Sequence, residues 1–257
     1  MHKKKFKIWE GVYTSFADAP AVGPGYEGAT WRERSLRSAR DAVAKLASGE
    51  TLDYSLRQRN AIMPVVVAML LSRQQRVSVL DFGGGLGTAF PVLASAVGGD
   101  IGRVDYRIVE VESICSAGRE LFAGGKGPRF EPELPGGGAF DVVQAASSLQ
   151  YIEDWRGVLR LLVGYRAQYL ILGDLLIGGF PSYVTLQNYY ESRIRSWFLN
   201  AKDFIGEVES HGYALALRSE CDTRVLGVDG PLPMDNFPPH LRVARTSHLL
   251  FAKTPAS

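Results

Sequence analysis

The sequence predicts an α/β protein with a doubly wound, mostly parallel β-sheet that ends in an antiparallel hairpin and is preceded by a helical cap. Between Val77 and Leu172, short strand-like runs alternate with helix-like segments. This alternation is typical of βαβ units with helices on both faces of a sheet. The last two strand-like runs have no helix between them, which implies that they pair antiparallel. Residues 1–72, mostly helical in pattern, precede the first of these strands.

The predicted cap begins with an irregular segment, from Phe6 to about Gly28, that is rich in Gly, Pro, Tyr and Trp. A helix follows from Thr30, because its apolar residues recur at helical spacing, and Gly49 ends it. A second helix is predicted from Asp53 to Leu71. We therefore divide the chain into an N-terminal cap, residues 1–72, and a main domain, residues 73–257.

The main domain is predicted to alternate strands and helices and then to end in a hairpin with a long Pro-rich loop. The predicted strands are Val77–Phe82, Tyr106–Val111, Phe140–Ala145, Gln168–Leu172, Tyr213–Arg218 and His248–Lys253. The predicted helices are Thr88–Val97, Ser113–Phe122, Trp155–Tyr165 and Ala201–Gly212.

Composition and charge exclude several classes of protein. Hydrophobic residues make up 46% of the chain and charged residues 22%, as in an ordinary globular protein, and the net charge of +2 does not indicate a nucleic-acid partner. The longest apolar run, Ile62 to Leu71, is too short to span a membrane and contains Pro64. Cys115 and Cys221 lack metal or disulfide spacing, and the N-terminus has no secretory signal pattern. We expect a cytoplasmic protein with no integral membrane segment and no metal.

The stretch "QNYYESRIRSWF", Gln187 to Phe198, interrupts the alternating pattern after the strand predicted at Gln168–Leu172. One interpretation is an amphipathic helix with its aromatic residues in the core and its arginines in water. The other is a contribution to the ligand site, since aromatics stack on sugar rings and arginines bind phosphate or carboxylate. In the second case these residues form a lid over an acceptor together with Trp9, Tyr13 and Tyr26.

The run "VSVLDFGGGLGTAF" places a glycine-rich turn between the first strand and the next helix. Such a turn lets a ligand approach backbone amides at a helix N-terminus. Gly83, Gly85 and Gly87 fit G-x-G-x-G, whereas the dinucleotide fingerprint requires a glycine where this chain has Thr88. The carboxylate of Asp81 would repel a pyrophosphate but suits a cationic ligand. The loop therefore favours a cofactor that carries ammonium and sulfonium groups over a nicotinamide dinucleotide.

At these residues the chain resembles the class I S-adenosylmethionine-dependent methyltransferases, which have a Rossmann-like, seven-stranded sheet. "YRIVEVES" supplies Glu110 where the family binds the ribose hydroxyls, with Glu112 as its competitor, and "FDVVQAASSLQYIEDW" resembles the fourth strand and its turn. A carboxylate can accept both hydroxyl protons of a diol. The resemblance implies S-adenosyl-L-methionine as cofactor and a cofactor site formed by Asp81, Phe82, Gly83, Gly84, Gly85, Gly87, Glu110 and Ser147.

Three further stretches, "WEGVYTSFADA", "GYEG" and "DNFPPHLR", resemble a little-studied group of methyltransferases associated with bacterial polysaccharide gene clusters. This resemblance implies a role in polysaccharide biosynthesis and a carbohydrate or other small-molecule acceptor. The residues do not independently indicate that acceptor.

Methyl transfer to a sugar hydroxyl would benefit from a general base, because the pKa of such a hydroxyl is high. The candidate catalytic residues are Tyr151 and Asp174, which follow the predicted strands Phe140–Ala145 and Gln168–Leu172, and His211, at the end of the last helix and before the hairpin. Tyr151 could instead pack under the sheet edge, Asp174 could cap a turn, and His211 could simply end its helix. His240, in the hairpin loop, is a fourth candidate.

The sequence thus predicts an S-adenosylmethionine-dependent methyltransferase, of class EC 2.1.1, acting on a hydroxyl of a carbohydrate or small molecule. One alternative is a non-catalytic cofactor-binding or interaction protein on the same fold. Another is an NAD-dependent oxidoreductase, against which Asp81 and Thr88 argue. The oligomeric state is left open.

Overall fold

The computed structural model describes residues 7–225 and 228–255. Its strands are β1 (Trp9–Tyr13), β2 (Val77–Phe82), β3 (Val104–Val109), β4 (Arg129–Glu131), β5 (Val142–Ala146), β6 (Tyr169–Leu175), β7 (Ile177–Gly178), β8 (Tyr183–Tyr189), β9 (Ser192–Asn200), β10 (Tyr213–Cys221), β11 (Thr223–Val225), β12 (Val228–Gly230) and β13 (Thr246–Lys253). The helices are α1 (Ala29–Ser48), α2 (Tyr54–Arg59), α3 (Ile62–Leu71), α4 (Ala89–Val97), α5 (Glu112–Leu121), α6 (Trp155–Gly164) and α7 (Ala201–Glu209).

Seven strands form the central sheet in the order β10-β13-β6-β5-β2-β3-β4. The pairs among β2 to β6 are parallel, whereas β13 is antiparallel both to β6 and to β10. The prediction of a doubly wound, mostly parallel sheet with a C-terminal antiparallel hairpin is therefore confirmed.

Apolar side chains cover both faces of the central sheet, as expected for a doubly wound fold. On β2, Val79 belongs to the cluster that includes α3 and α4, and the next residue, Leu80, belongs to the cluster that includes α6 and α7. Helices α6 and α7 begin where the side chains of Asp154 and Asn200 accept hydrogen bonds from the first-turn amides. The sheet is thus held between two helical layers, and its strand ends remain at its edges.

A second sheet, in the order β1-β8-β9-β7, overturns two predictions. The segment Gln187–Phe198 is not an amphipathic helix but lies in the antiparallel β8–β9 hairpin, in which Tyr190 has a φ of 52°. Alternation explains the strand, because Ser192, Ser196 and Phe198 are buried while Arg193 is exposed. The N-terminal segment is not wholly irregular either, since β1 pairs with β8.

The predicted helix from Asp53 to Leu71 is two helices, α2 and α3, separated at Asn60 and Ala61. Pro64 explains the break: proline lacks an amide hydrogen, and its ring would clash with the carbonyl of Asn60 in a continuous helix. In the first turn of α3 neither defect matters. The division of the chain at residue 72 stays a prediction, although α3 shares its apolar cluster with the central sheet.

Candidate functional site

The carboxyl ends of the parallel strands bring most of the predicted site residues to one edge of the central sheet. The glycine loop follows β2, Glu110 follows β3, Ser147 follows β5, and Asp174 is the second-to-last residue of β6. The strand β6 runs to Leu175, three residues beyond its predicted end, so Asp174 lies within it rather than after it. This edge is where open α/β sheets bind their ligands.

Asp81 lies beneath the glycine loop, with 1% of its surface exposed. Its Oδ2 accepts a 2.7 Å hydrogen bond from the Tyr106 hydroxyl, and its Oδ1 accepts a 3.1 Å bond from Gln144 Nε2. Burial raises the pKa of Asp81 to about 6, although both hydrogen bonds act in the opposite direction. Sequence reasoning missed Tyr106 and Gln144; the only local sign of either is a polar residue in an apolar strand.

The glycine loop approaches Asp81 on one side and an open space on the other. A Cβ at Gly84 would lie 2.6 Å from Asp81 Oδ2, so only glycine lets the backbone come this close. Gly85 has a φ of 57°, and a Cβ there would meet no described atom within 4 Å. A ligand can therefore contact the backbone at Gly85 directly, just before the start of α4.

Glu110 closes the other side of this space. Its Oε1 accepts a 3.1 Å hydrogen bond from the Gly85 amide, and its Oε2 accepts one of the same length from the Val111 amide. Burial raises the pKa of Glu110, which these two bonds partly offset. Glu112, the alternative candidate for the ribose contact, is exposed on α5, and its Oε1 accepts hydrogen bonds from Ser116 and Arg119 instead.

The remaining predicted cofactor residues lie around the same loop. Phe82 ends β2 and packs against the core, and the amide of Gly83 donates to Val109 O at 2.9 Å. Ser147 has a φ of 52°, and its amide donates to Gly173 O at 2.9 Å. These bonds tie the loops after β2 and β5 to the neighbouring strands β3 and β6.

The carboxylates around the glycine loop fit a cationic ligand that carries a diol better than they fit a pyrophosphate. Two carboxylates, Asp81 and Glu110, flank the open backbone at Gly85. Among the described residues, no Lys or Arg contributes to the pKa of either carboxylate. A pyrophosphate would therefore meet two negative charges without a compensating cation.

Tyr151 lies in a short 3-10 turn after β5 and joins a polar cluster with the N-terminal segment. Its hydroxyl donates to Gln187 Oε1 at 3.0 Å, and the hydroxyl of Tyr26 donates to the same atom at 3.3 Å. The two tyrosine rings lie 4.9 Å apart in an edge-on contact. Burial raises the pKa of Tyr151 to about 12, so the hydroxyl remains protonated. Of the three predicted lid residues, Trp9 is buried against Phe198 in the small sheet and cannot act as one.

Asp174 has a φ of 54°, which is uncommon for a residue with a side chain. Its carbonyl oxygen accepts a 3.1 Å bond from Gln150 Nε2. The Oδ1 of Asp174 and the Oε1 of Gln150 are both buried, and the described residues give neither a hydrogen-bond donor. Gln150 and Asp174, which this bond joins, thus each keep a buried acceptor without a described donor, and buried acceptors need partners.

The structure separates His211 from the site. His211 precedes β10, whose first residue Tyr213 pairs with Lys253, and Ala252 pairs with Tyr169 at the beginning of β6. His211 therefore lies at the amino end of the parallel strands, the edge opposite the glycine loop, where its Nε2 is 3.5 Å from Glu207 Oε1. His240 is exposed in a 3-10 turn of the hairpin loop. The catalytic interpretation of His211 is abandoned on this topology.

No protein-family model and no curated protein sequence matches this chain. Solved structures do resemble it. An S-adenosylmethionine-dependent methyltransferase from Clostridium acetobutylicum is 11% identical, with 82% of this chain and 96% of that chain covered at a TM-score of 0.50. One from Methanosarcina mazei is 10% identical, with coverages of 73% and 97% and a TM-score of 0.52.

A third similar structure is the 1,6-didemethyltoxoflavin N1-methyltransferase of Burkholderia thailandensis, with bound 1,6-didemethyltoxoflavin and S-adenosylhomocysteine. It is 15% identical, and 93% of each chain is covered at a TM-score of 0.51. At these identities the similarity concerns the fold, and the chain has the Rossmann-like fold of these methyltransferases. Among the described helices, none combines the length and the apolar character that a membrane span requires.

Proposed function

We propose that this protein is an S-adenosyl-L-methionine-dependent methyltransferase of class EC 2.1.1. The observation that carries the proposal is the open backbone at Gly85 between the carboxylates of Asp81 and Glu110. Negative charge on two sides favours a cationic ligand. The shared fold supports the same conclusion, because it puts this opening at the carboxyl edge of the sheet.

Each predicted cofactor residue has a role in this proposal. The backbone of Gly83, Gly84, Gly85 and Gly87 lets the methionine part approach, while Asp81 supplies negative charge from beneath the loop. The carboxylate of Glu110 exchanges its bond with the Gly85 amide for the ribose hydroxyls. Phe82 and Ser147 complete the rim of the same edge. When bound, the cofactor supplies an electrophilic methyl group on a sulfonium.

The acceptor in this proposal is a hydroxyl of a carbohydrate or small molecule, and the setting is polysaccharide biosynthesis in the cytoplasm. Support comes from the resemblance of the N-terminal and C-terminal stretches and from the tyrosine cluster of Tyr26 and Tyr151, whose rings can stack on a sugar. Tyr151 follows β5 and Asp174 lies near the end of β6, at the same edge as the glycine loop, and the charge of Asp174 acts on Tyr151. The N-terminal segment, which carries Tyr26, then covers the acceptor.

Calorimetric titration with S-adenosylhomocysteine and, separately, with NAD tests the cofactor assignment. We expect heat from the first ligand only. Glu110→Gln should weaken that binding at least tenfold, or ~1.4 kcal/mol. Glu112→Gln is the matched control, because Glu112 lies two residues away and bonds Ser116 and Arg119 outside the loop, and it should bind as the unmodified protein does.

Absence of binding to S-adenosylhomocysteine, or tighter binding of NAD, would refute the proposed function. Binding of S-adenosylhomocysteine without methyl transfer to any acceptor would favour a non-catalytic cofactor-binding protein instead. Equal affinities of the Glu110 and Glu112 variants would mean that the ribose contact is misassigned.

A further inference from the structure

A buried histidine, His248, lies at the same edge of the sheet and was not singled out by the sequence. It is the third residue of β13, and the preceding residue, Ser247, pairs with Leu175 at the carboxyl end of β6. The imidazole covers Gly173: a Cβ at that position would lie 3.1 Å from His248 Nδ1 and 3.2 Å from the Cβ of Ala146. Gly173, which precedes Asp174 near the end of β6, therefore lies between His248 on β13 and Ala146 on β5.

The other ring nitrogen of His248 is held by a thiol. Nε2 lies 2.8 Å from the Sγ of Cys221, a free cysteine on the neighbouring strand β10. The same Sγ is 3.5 Å from the hydroxyl oxygen of Thr246. Burial raises the pKa of the Cys221 thiol, so the partner of Nε2 is an uncharged thiol. A sulfur atom can accept the Nε2 hydrogen while its own hydrogen is directed to Thr246.

We propose that His248 is the catalytic base that removes the proton from the acceptor hydroxyl, and that Cys221 orients its ring by accepting the Nε2 hydrogen. This proposal rests on the methyltransferase function proposed above and names its base and its substrate class. In this tautomer Nδ1 keeps its lone pair, and within the described part of the chain Nδ1 receives no hydrogen bond.

The charges around His248 suit a base that is neutral at rest. Burial lowers its pKa, the negative charge of Asp174 on β6 raises it, and the positive charge of Arg59 on α2 lowers it again. Cys221, on β10, contributes no charge while it is a thiol. The lowered pKa keeps the imidazole unprotonated near neutral pH, so that it can accept a proton. Asp174 then stabilises the imidazolium that forms, as a carboxylate does beside a catalytic histidine.

The proposed step transfers the methyl group and one proton. The acceptor oxygen forms a bond to the methyl carbon while the carbon–sulfur bond of the donor breaks, so that the sulfonium becomes a neutral thioether. The hydroxyl proton moves to Nδ1 of His248. The imidazolium returns that proton to solvent after the product leaves.

The neighbouring acceptors indicate the substrate class. Asp174 Oδ1 and Gln150 Oε1 are buried without donors from the described residues, and Gln150 is only 2% exposed. A compound with several hydroxyl groups can donate to both oxygens while a further hydroxyl meets Nδ1. The site thus fits a polyhydroxylated acceptor such as a sugar ring.

The tautomer can be measured without any reaction. NMR of protein labelled with ¹⁵N in its histidines, free and saturated with S-adenosylhomocysteine, should find His248 neutral near pH 7 with its hydrogen on Nε2. His248→Gln identifies the signal, and Asp174→Asn should lower its pKa. A hydrogen on Nδ1, or an imidazolium near neutral pH, would overturn the proposal, because no lone pair would then be available.

Kinetics tests the role itself, with tritiated methyl donor and with methyl α-D-glucopyranoside, myo-inositol and glycerol as probes. His248→Gln should lower kcat about 10²–10⁴-fold, the usual contribution of a general base, and abolish the acid limb of the pH profile. The KM for the donor and the affinity for S-adenosylhomocysteine should not change. His211→Gln, a histidine at the opposite edge of the sheet, is the matched control and should retain both kcat and the acid limb.

Retention of rate and acid limb in His248→Gln overturns the proposal. So does the absence of transfer to every polyol probe in unmodified protein that binds S-adenosylhomocysteine. If His248→Gln does not fold, Asp174→Asn and Cys221→Ala replace it: both should lower kcat, and unchanged rates in both would contradict the assignment. Failure of the proposed function is recognised separately, as loss of S-adenosylhomocysteine binding in the unmodified protein.

Discussion

Replacing Asp81 with asparagine tests the electrostatics beneath the glycine loop. Burial raises the pKa of Asp81 from 3.8 to about 6. Since one pKa unit corresponds to about 1.4 kcal/mol, ionising this carboxyl costs the folded state about 3 kcal/mol. Because the pKa of Asp81 is higher in the folded protein, the folded protein binds this proton more tightly than the unfolded chain does. Stability from this group is therefore fully present below about pH 4 and is lost as the pH rises through about 6.

The assay is urea denaturation of the unmodified protein and of Asp81→Asn at several pH values from about 4 to 7. Tyr106 and Gln144 both donate to the ionised carboxylate, whereas the asparagine amide, like the protonated carboxyl, offers a carbonyl oxygen to only one of them. We expect the difference in unfolding free energy to shift in favour of the variant by about 3 kcal/mol over this range.

Tyr106→Phe is the control for the cause of this shift. It removes a hydrogen bond that lowers the pKa of Asp81, so the loss of stability should continue to a higher pH than in the unmodified protein. If the curves for the unmodified protein and Asp81→Asn stay parallel with pH, the carboxyl does not titrate in this range and the reasoning is refuted.

Three further substitutions test the packing around the site. Phe204→Ala empties a fully buried position and should lower the unfolding free energy by about 3–5 kcal/mol in urea denaturation; a loss like that of a surface residue would contradict its position in the core. Gln187→Leu removes the acceptor of the Tyr26 and Tyr151 hydroxyls, so it should cost about 1–3 kcal/mol and speed proteolysis of the N-terminal segment, and unchanged proteolysis would argue against this link. Gly85→Ala should lower the unfolding free energy by about 1 kcal/mol, because the φ of Gly85 is 57°. It should also weaken S-adenosylhomocysteine binding, because the added methyl group fills the open space beside the loop, and unchanged affinity in calorimetry would contradict this.

Local pattern was sufficient for the glycine loop and for six of the seven strands of the central sheet, whereas the short strand β4 was not predicted. The run Val77–Phe82 is apolar and bounded by glycine, and β2 has the same limits in the structure. The alternation of strands and helices indicates a mostly parallel sheet covered by helices. Asp81 and the loop glycines are neighbours in sequence, so their proximity required no knowledge of the tertiary fold.

Long-range pairing decided the elements that local pattern predicted wrongly. In Gln187–Phe198 the aromatic spacing is compatible with a helix, but β8 pairs with β1, more than 170 residues earlier, and with β9. The pairing with β1 buries Trp9 against Phe198. Periodicity in a short window cannot detect a partner strand at that distance, so tertiary contacts override the local preference.

The cofactor side and the proposed acceptor side of the candidate site also differ in how far local sequence predicts them. Motif residues identify the cofactor side, whereas the side proposed for the acceptor depends on register: His248 reaches Gly173 only because β13 runs antiparallel to β6. His211 is equally distinctive in sequence, yet the same antiparallel course puts it at the opposite edge. A histidine near the start of the last strand is therefore a better candidate for the site than one before the penultimate strand. Of these two strands, only the last begins at the carboxyl edge of the parallel strands.

Burial acts on the two proposed functional groups in opposite directions and with the same outcome. It raises the pKa of Asp81 and lowers that of His248, so each is pushed toward its neutral form. A cationic cofactor would favour the ionised form of Asp81, and the carboxylate of Asp174 would favour the imidazolium of His248. In the proposed mechanism, binding and proton transfer thus each create charge next to an opposite charge that the fold already holds, and little solvent reorganisation is needed.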